Sequence, residues 1–213
     1  HQPTRGEMYM DGKPVSFSNP KNAQEMGIAT VHQFGGTYPL MSIGRNFFAG
    51  AEPTKGFGPF KIFDRQKANS IAVEQVQRFG ITRISDGDRL VGGLSGGERQ
   101  SLAIARAVYF GARVLILDEP TRGLDYQAKT LLITLLKSFA KELNRSVLIA
   151  THDVELVAEL CDRVIFLAEG EVVADGPTLE ILLSSPAFAP QVAKVMSPRP
   201  WLTVSDVLRA VAQ

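Results

Sequence analysis

The chain has 213 residues, 23 Lys and Arg against 22 Asp and Glu, a net charge of +1, 45% hydrophobic residues and one cysteine. That length suits one sizeable core, and the balanced charge gives no reason to invoke nucleic acid or an anionic membrane surface. A single cysteine excludes an internal disulfide and fits a reducing compartment, while no apolar run approaches the ~20 residues that span a bilayer and no signal peptide is visible.

In chain order, residues 7–17 read as a hairpin turning at Asp11-Gly12. A short helix over 19–26 stops at Gly27 and is followed by a strand over 28–31. Residues 35–58 are rich in Gly, Pro and Phe. Two readings stay open there: Pro39-Leu40-Met41 and Phe47-Phe48 form an exposed apolar patch, or they pack on their own domain as a loop. A helix over 64–79 repeats Ala68, Ile71, Ala72, Val76 and Phe79 at helical spacing.

Ser95-Gly96-Gly97 then opens a helix that runs without Pro or Gly to Phe110 and stops at Gly111. A hydroxyl and backbone N–H groups free of side-chain cover at a helix start can admit an anion, although a glycine pair capping an ordinary helix is the plain alternative. The apolar run 114–117 suits a strand buried on both faces of a parallel sheet. It delivers Asp118 and Glu119 to the carboxyl edge, where open α/β sheets bind ligands. One carboxylate there can hold Mg²⁺ and the other can orient or deprotonate a water that attacks a phosphate.

After these acids the pattern alternates: helix 126–143, strand 147–150, helix 154–161, strand 164–167, the mark of a parallel sheet. His152 follows the first of these strands and could instead cap the next helix, as Asp125 could cap the helix after it. Cys161 reads as a small buried apolar residue. A turn at 169–171 leads to a terminal hairpin, 179–183 is a short helix, and prolines at 186, 190, 198 and 200 predict an extended tail with a helical turn or two after Trp201.

LSGGERQ at 94–100 followed by VLILDEP at 114–120 resembles the ATP-binding subunit of an ATP-binding-cassette transporter, with the signature motif at 94–100 and the Walker B motif at 114–119. The likeness spans roughly residues 1–185. It implies an α/β, P-loop NTPase-type parallel sheet with an antiparallel β hairpin and a helical signature subdomain over about 36–105, then a Pro-containing tail over 186–213. It implies an ATPase with ATP and Mg²⁺ as cofactors. Glu119 and His152 are then the catalytic residues, Asp118 and Gln33 the metal-side residues, and Asp125 belongs to the D-loop. Gln33 rests mainly on its position. Ser95, Gly96, Gly97 and Glu98 are implied to bind nucleotide in trans, across a dimer with a second cassette. Permease subunits and a solute-binding protein complete the implied partners, at the inner face of the cell membrane and without nucleic acid.

No G-x-x-x-x-G-K followed by Ser or Thr occurs anywhere in the sequence, so the loop that cradles the β- and γ-phosphates is missing. The sheet core is therefore expected to be incomplete, as in a cassette truncated ahead of residue 1. Such a chain keeps the signature half of an ATP site and is expected to be inactive alone. The segment from Val31-His32-Gln33 to Gly93-Leu94-Ser95 resembles monosaccharide importers, whereas Thr121 to Asp125, 150–159 and 188–193 resemble energy-coupling-factor importers for vitamins and metal ions. Sugar import is the first expectation and the second type the alternative. A non-transport cassette ATPase and an inert cassette fragment are further alternatives, although the long coiled-coil insertions and basic linkers of the former are absent.

Overall fold

The computed structural model describes residues 4–32, 36–79, 81–141, 144–184 and 186–212. The chain opens with strands β1 (Met8–Met10) and β2 (Lys13–Val15), paired antiparallel. Their turn takes Asp11 and Gly12 at φ 52° and 72°, which a primed hairpin turn requires at both central residues. The Asp11 carboxylate meets Arg113 at 2.7 Å and ties the hairpin to the sheet. Helix α1 (Pro20–Glu25) starts from Asn19, whose side chain accepts from the Asn22 amide, and Pro20 occupies the first turn where its missing N–H costs nothing.

The central sheet has three parallel strands in the order β3 (Ile28–Val31), β6 (Val114–Asp118), β7 (Ser146–Ala150). Val31 stands beside Leu117, and Asp118 beside Ala150, so the three carboxyl ends lie level. One face packs on helices α4 (Gly96–Tyr109) and α5 (Tyr126–Lys141), through Ile104, Leu132, Leu135, Leu136 and Phe139 against Val31, Leu115 and Leu117. Val114 and Ile116, on the other face, are only half-buried. The expectation of a strand buried on both faces is corrected there, because among the described residues helices pack fully against one side alone.

A second cluster joins α2 (Ile43–Phe47), α3 (Arg65–Arg78) and α4. Ala68, Ala72 and Val76 form the buried stripe of α3, as their spacing predicts, and Asp64 caps it. Phe47 and Phe48 are 0% and 4% exposed, so of the two readings for this stretch internal packing holds for them. Their rings meet Tyr109 and Phe110 at the end of α4, mostly edge to face with centroids 5.3–6.3 Å apart. Arg106 closes the corner by donating to the carbonyls of Phe47 and Ala49. Leu40 does project, at 90% exposure. Between α2 and α3 lies a small hairpin, β4 (Thr54–Lys55) and β5 (Ile62–Phe63).

Helix α6 (Val154–Leu160) leads into β8 (Arg163–Ala168). Among the described residues β8 pairs only with β9 (Glu171–Pro177), antiparallel, and not with the parallel sheet that the alternation predicted. The tight turn at Glu169-Gly170 lets the two strands satisfy each other locally, and Arg163 clasps Asp175 through two hydrogen bonds. Helices α7 (Thr178–Ser184), α8 (Gln191–Met196) and α9 (Val204–Val211) follow. The helical turns expected after Trp201 are α9, whereas the extended stretch expected ahead of them is corrected by α8. Pro190 caps α8 instead of breaking it, and Ala189, Ala193 and Leu202 bury with Leu182 against Val157, Ala158 and Phe166.

Candidate nucleotide site

Strand β6 ends at Asp118, and the ladder runs one step further, with the Glu119 amide donating to the Ala150 carbonyl at 2.9 Å. This pins Glu119 against the end of β7 and holds it at φ 45°, a left-handed conformation that costs a non-glycine residue about 1–2 kcal/mol. Its carboxylate is held from three sides. Oε1 lies 2.7 Å from His152 Nδ1 and accepts the His152 amide at 3.1 Å, while Oε2 accepts the Thr151 hydroxyl at 3.2 Å. The His152 ring is 80% exposed beyond this contact, so its second nitrogen faces outward. Asp118 is exposed beside them, and among the described residues no ion pair or hydrogen bond engages its carboxylate.

Asp153, next in sequence, is a residue that sequence reasoning passed over. Its carboxylate accepts the Thr121 hydroxyl at 2.8 Å, the Lys129 ammonium at 2.7 Å and the Leu156 amide at 3.0 Å, so it caps α6, a role offered above to His152. Burial alone would raise its pKa, yet the bonds from Lys129, the Leu156 amide and Thr121 outweigh that and hold it below the usual carboxylate range. The same side chain therefore anchors the loop carrying Glu119, the start of α5 and the loop carrying His152. A cap-type residue between a strand and the Val154-Glu155-Leu156 run was the signal available in the sequence. The bonds to residues 121 and 129 have no local signature.

Ser95 caps α4 with a complete capping box: its hydroxyl accepts the Glu98 amide at 3.2 Å, and Glu98 accepts the Ser95 amide at 2.7 Å. The glycines are less open than their sequence suggested. Gly97 is buried, and a Cβ there would stand 2.7 Å from the Ala128 Cβ; one on Gly96 would meet the Leu124 side chain at 3.2 Å. Close packing of α4 on α5 thus accounts for Gly97, and the open helix start is confined to Ser95 and the half-exposed Gly96. Asp125 caps α5 through the Ala128 amide at 2.8 Å, as foreseen. Cys161 is half-buried at the end of α6, and burial pushes its thiol pKa up.

The structure brings Asp118, Glu119 and His152 together at the sheet edge, and Ser95, Gly96, Gly97 and Glu98 beside the Asp125 turn. Among the described residues no hydrogen bond joins one group directly to the other. Gln33 lies outside the described residues; β3 ends at Val31, level with Leu117, two positions before it in sequence. A cavity of about 750 Å³ lies between α1, β3, α2 and α4, lined by Thr30, His32, Tyr38 and Arg106 among others, and includes none of the predicted catalytic residues.

The family model described as "ABC transporter" matches residues 1–122, and the chain belongs to that family, a class of ATP-hydrolysing proteins. A "Putative ABC transporter ATP-binding protein" of Streptomyces avermitilis is 57% identical over 117 residues, 54% of this chain and 21% of the relative. The chain thus spans about a fifth of the length of that relative. A "Xylose/arabinose import ATP-binding protein" of Sulfolobus acidocaldarius is 34% identical over 173 residues, 81% of this chain and 66% of that protein. Among solved structures, cbiO1 of Clostridium perfringens, described as part of the ABC transporter complex cbiONQ, is 26% identical with a TM-score of 0.68 over 99% of this chain and 78% of its own.

Proposed function

We propose that this chain supplies the acidic edge and the signature end of an ATP-binding cassette that powers an importer. The observation that carries the reading is Glu119, forced into a strained conformation at the carboxyl edge, with its carboxylate trained by Thr151 and His152 beside a free Asp118. Residues of this kind fit Mg²⁺, which takes one or two carboxylates together with phosphate oxygens. Asp118 would hold the ion, and the family resemblance implies Gln33 as the second metal-side residue. Mg²⁺ supplies charge neutralisation on the phosphates. Glu119 orients the attacking water and takes its proton, and the outward nitrogen of His152 meets the γ-phosphate. Asp125 sits at the dimer face. Ser95, Gly96 and Glu98 present the start of α4 to a nucleotide held by a second cassette, while Gly97 sets the packing that aims it.

The sequence contains no lysine-bearing phosphate loop, so this chain offers only part of the binding surface for ATP. The decisive comparison is calorimetric titration of Mg²⁺-ATP into the chain and into the same chain preceded by a phosphate-loop segment. Binding by the extended form alone, with hydrolysis abolished by Glu119→Gln, supports the reading. Unchanged hydrolysis in Glu119→Gln would refute the role given to Glu119, and no binding by either form would favour an inert fragment.

For the transported solute, the likeness to a xylose/arabinose import protein favours sugars. The resemblance of 121–125, 150–159 and 188–193 to energy-coupling-factor importers, beside the likeness to cbiO1 over 99% of this chain, supports that importer type as the second reading. On either reading the chain would work at the inner face of the cell membrane beside permease subunits, with a solute-binding protein in the sugar case. No helix among the described residues is long and apolar enough to cross a membrane, which fits attachment through such partners.

A further inference from the structure

Between Pro53 and Asp64 the chain leaves the α2–α3 core, makes the β4–β5 ladder and returns. Residues 54–62 are all exposed, and three of them are large and apolar: Phe57 at 91%, Phe60 at 81% and Ile62 at 60% exposure. Single exposed apolar side chains are ordinary, but three on one short hairpin mark a contact surface.

This tip is preformed. Thr54 pairs with Phe63 and Lys55 with Ile62, the Phe60 amide donates to the Phe57 carbonyl at 3.1 Å, and the Asp64 amide donates to Pro53 at 2.8 Å. Gly56 sits at φ 103° with the Phe60 carbonyl oxygen 2.4 Å from where a Cβ would stand, so only glycine permits this closure. Phe63 turns inward against the core beneath Arg45, which leaves the cross-strand pair Lys55 and Ile62 on the outward face.

The charge is one-sided. Lys55 and Lys61 bracket the two phenylalanines, neither is in an ion pair among the described residues, and no acid lies between Glu52 and Asp64. Those two carboxylates are engaged elsewhere, Glu52 with the Gly50 amide and Asp64 with the Lys67 amide. Almost fully exposed aromatic rings flanked by cations suit a segment that settles at the boundary of headgroups and acyl chains.

We propose that the 53–63 hairpin is a lipid-surface contact that seats Phe57 and Phe60 in the interface of an anionic bilayer, with Lys55 and Lys61 among the headgroup phosphates. A net charge of +1 for the whole chain hides this because the charge is local. The inference is independent of nucleotide binding, so either can fail alone.

The test is co-sedimentation of the chain with vesicles of phosphatidylcholine alone and of phosphatidylcholine mixed with phosphatidylglycerol. Preferential binding to the mixed vesicles is expected, weakening with salt. Lys55→Gln and Lys61→Gln should each lower the partition about fivefold, the worth of one cation near such a surface. Phe57→Ser with Phe60→Ser should abolish binding without moving the thermal midpoint, since both rings are outside the core. Equal binding to neutral and anionic vesicles, binding to neither, or unchanged binding by the phenylalanine double variant would overturn the proposal. So would sedimentation without vesicles that the same variant relieves, which would assign the patch to a second copy of the chain.

Discussion

The start of α4 and the carboxyl edge of β6 and β7 are the two places where the sequence concentrates its functional signals, and the chain holds them by different physics. Gly97 is fixed by contact, pressed on Ala128 of α5 where no side chain fits. Glu119 is fixed by hydrogen bonds to Thr151 and His152 in a conformation that its own backbone resists. Contact fixes a helix as a rigid body and suits a surface that must dock. Hydrogen bonds fix a single carboxylate through individual donors. Asp153 ties the second arrangement to the first, because it reaches Lys129 on α5, one residue beyond the Ala128 that packs on Gly97.

Removing that tie should have the largest effect. Asp153→Ala deletes a helix cap and strands a half-buried ammonium and the buried Thr121 hydroxyl, a loss expected near ~3 kcal/mol and measured by chemical denaturation. Lys129→Met should cost clearly less, since it leaves the cap in place. The pH dependence follows from the same group. A carboxylate whose pKa is lower folded than unfolded adds stability that is full above its unfolded value and is lost as pH falls through its folded one. The denaturation midpoint of the wild-type chain should therefore fall below about pH 4. Asp153→Asn should show a shallower fall over the same range.

The contact-fixed end is probed by its two glycines. Gly97→Ala sets a methyl 2.7 Å from a Cβ that cannot rotate away, so α4 and α5 must part, at ~1–3 kcal/mol. Gly96→Ala meets only the end of the Leu124 side chain at 3.2 Å, which can swing, and its cost should be the smaller of the two. Equal costs by thermal denaturation would mean that the α4–α5 contact is not what fixes this end.

Where signals are local, the sequence read well. Asp11-Gly12, the Asn19 and Asp64 caps and the α3 stripe all rest on residues within a turn of one another, and the structure repeats them. The acidic edge was legible too, since an apolar strand followed by two acids needs no distant partner to be placed. What failed was tertiary. The five-residue α2 is too short to display a helical period, so the burial of Phe47 and Phe48 against Tyr109 and Phe110 depends on residues some sixty positions away. The pairing of β8 is a choice between two neighbours that periodicity cannot make, and the prolines at 190 and 200 read as breakers although Pro190 starts a helix. The bonds from Asp153 to Thr121 and Lys129, 32 and 24 residues apart, are invisible for the same reason.

The smallest effect isolates the strain at the hydrogen-bonded end. At an ordinary position glycine is less stable than alanine by about 0.5–1 kcal/mol, because its unfolded chain has more freedom to lose. Position 119 should reverse that order. Glu119→Ala and Glu119→Gly both delete the bonds to Thr151 and His152, but only glycine adopts φ 45° without cost, so the glycine variant should be the more stable by about 1 kcal/mol. Denaturant titration of the two variants side by side cancels the lost hydrogen bonds and leaves the backbone term alone. If alanine proves the more stable, Glu119 is not held in a left-handed conformation, and the comparison drawn between the two ends loses its second half.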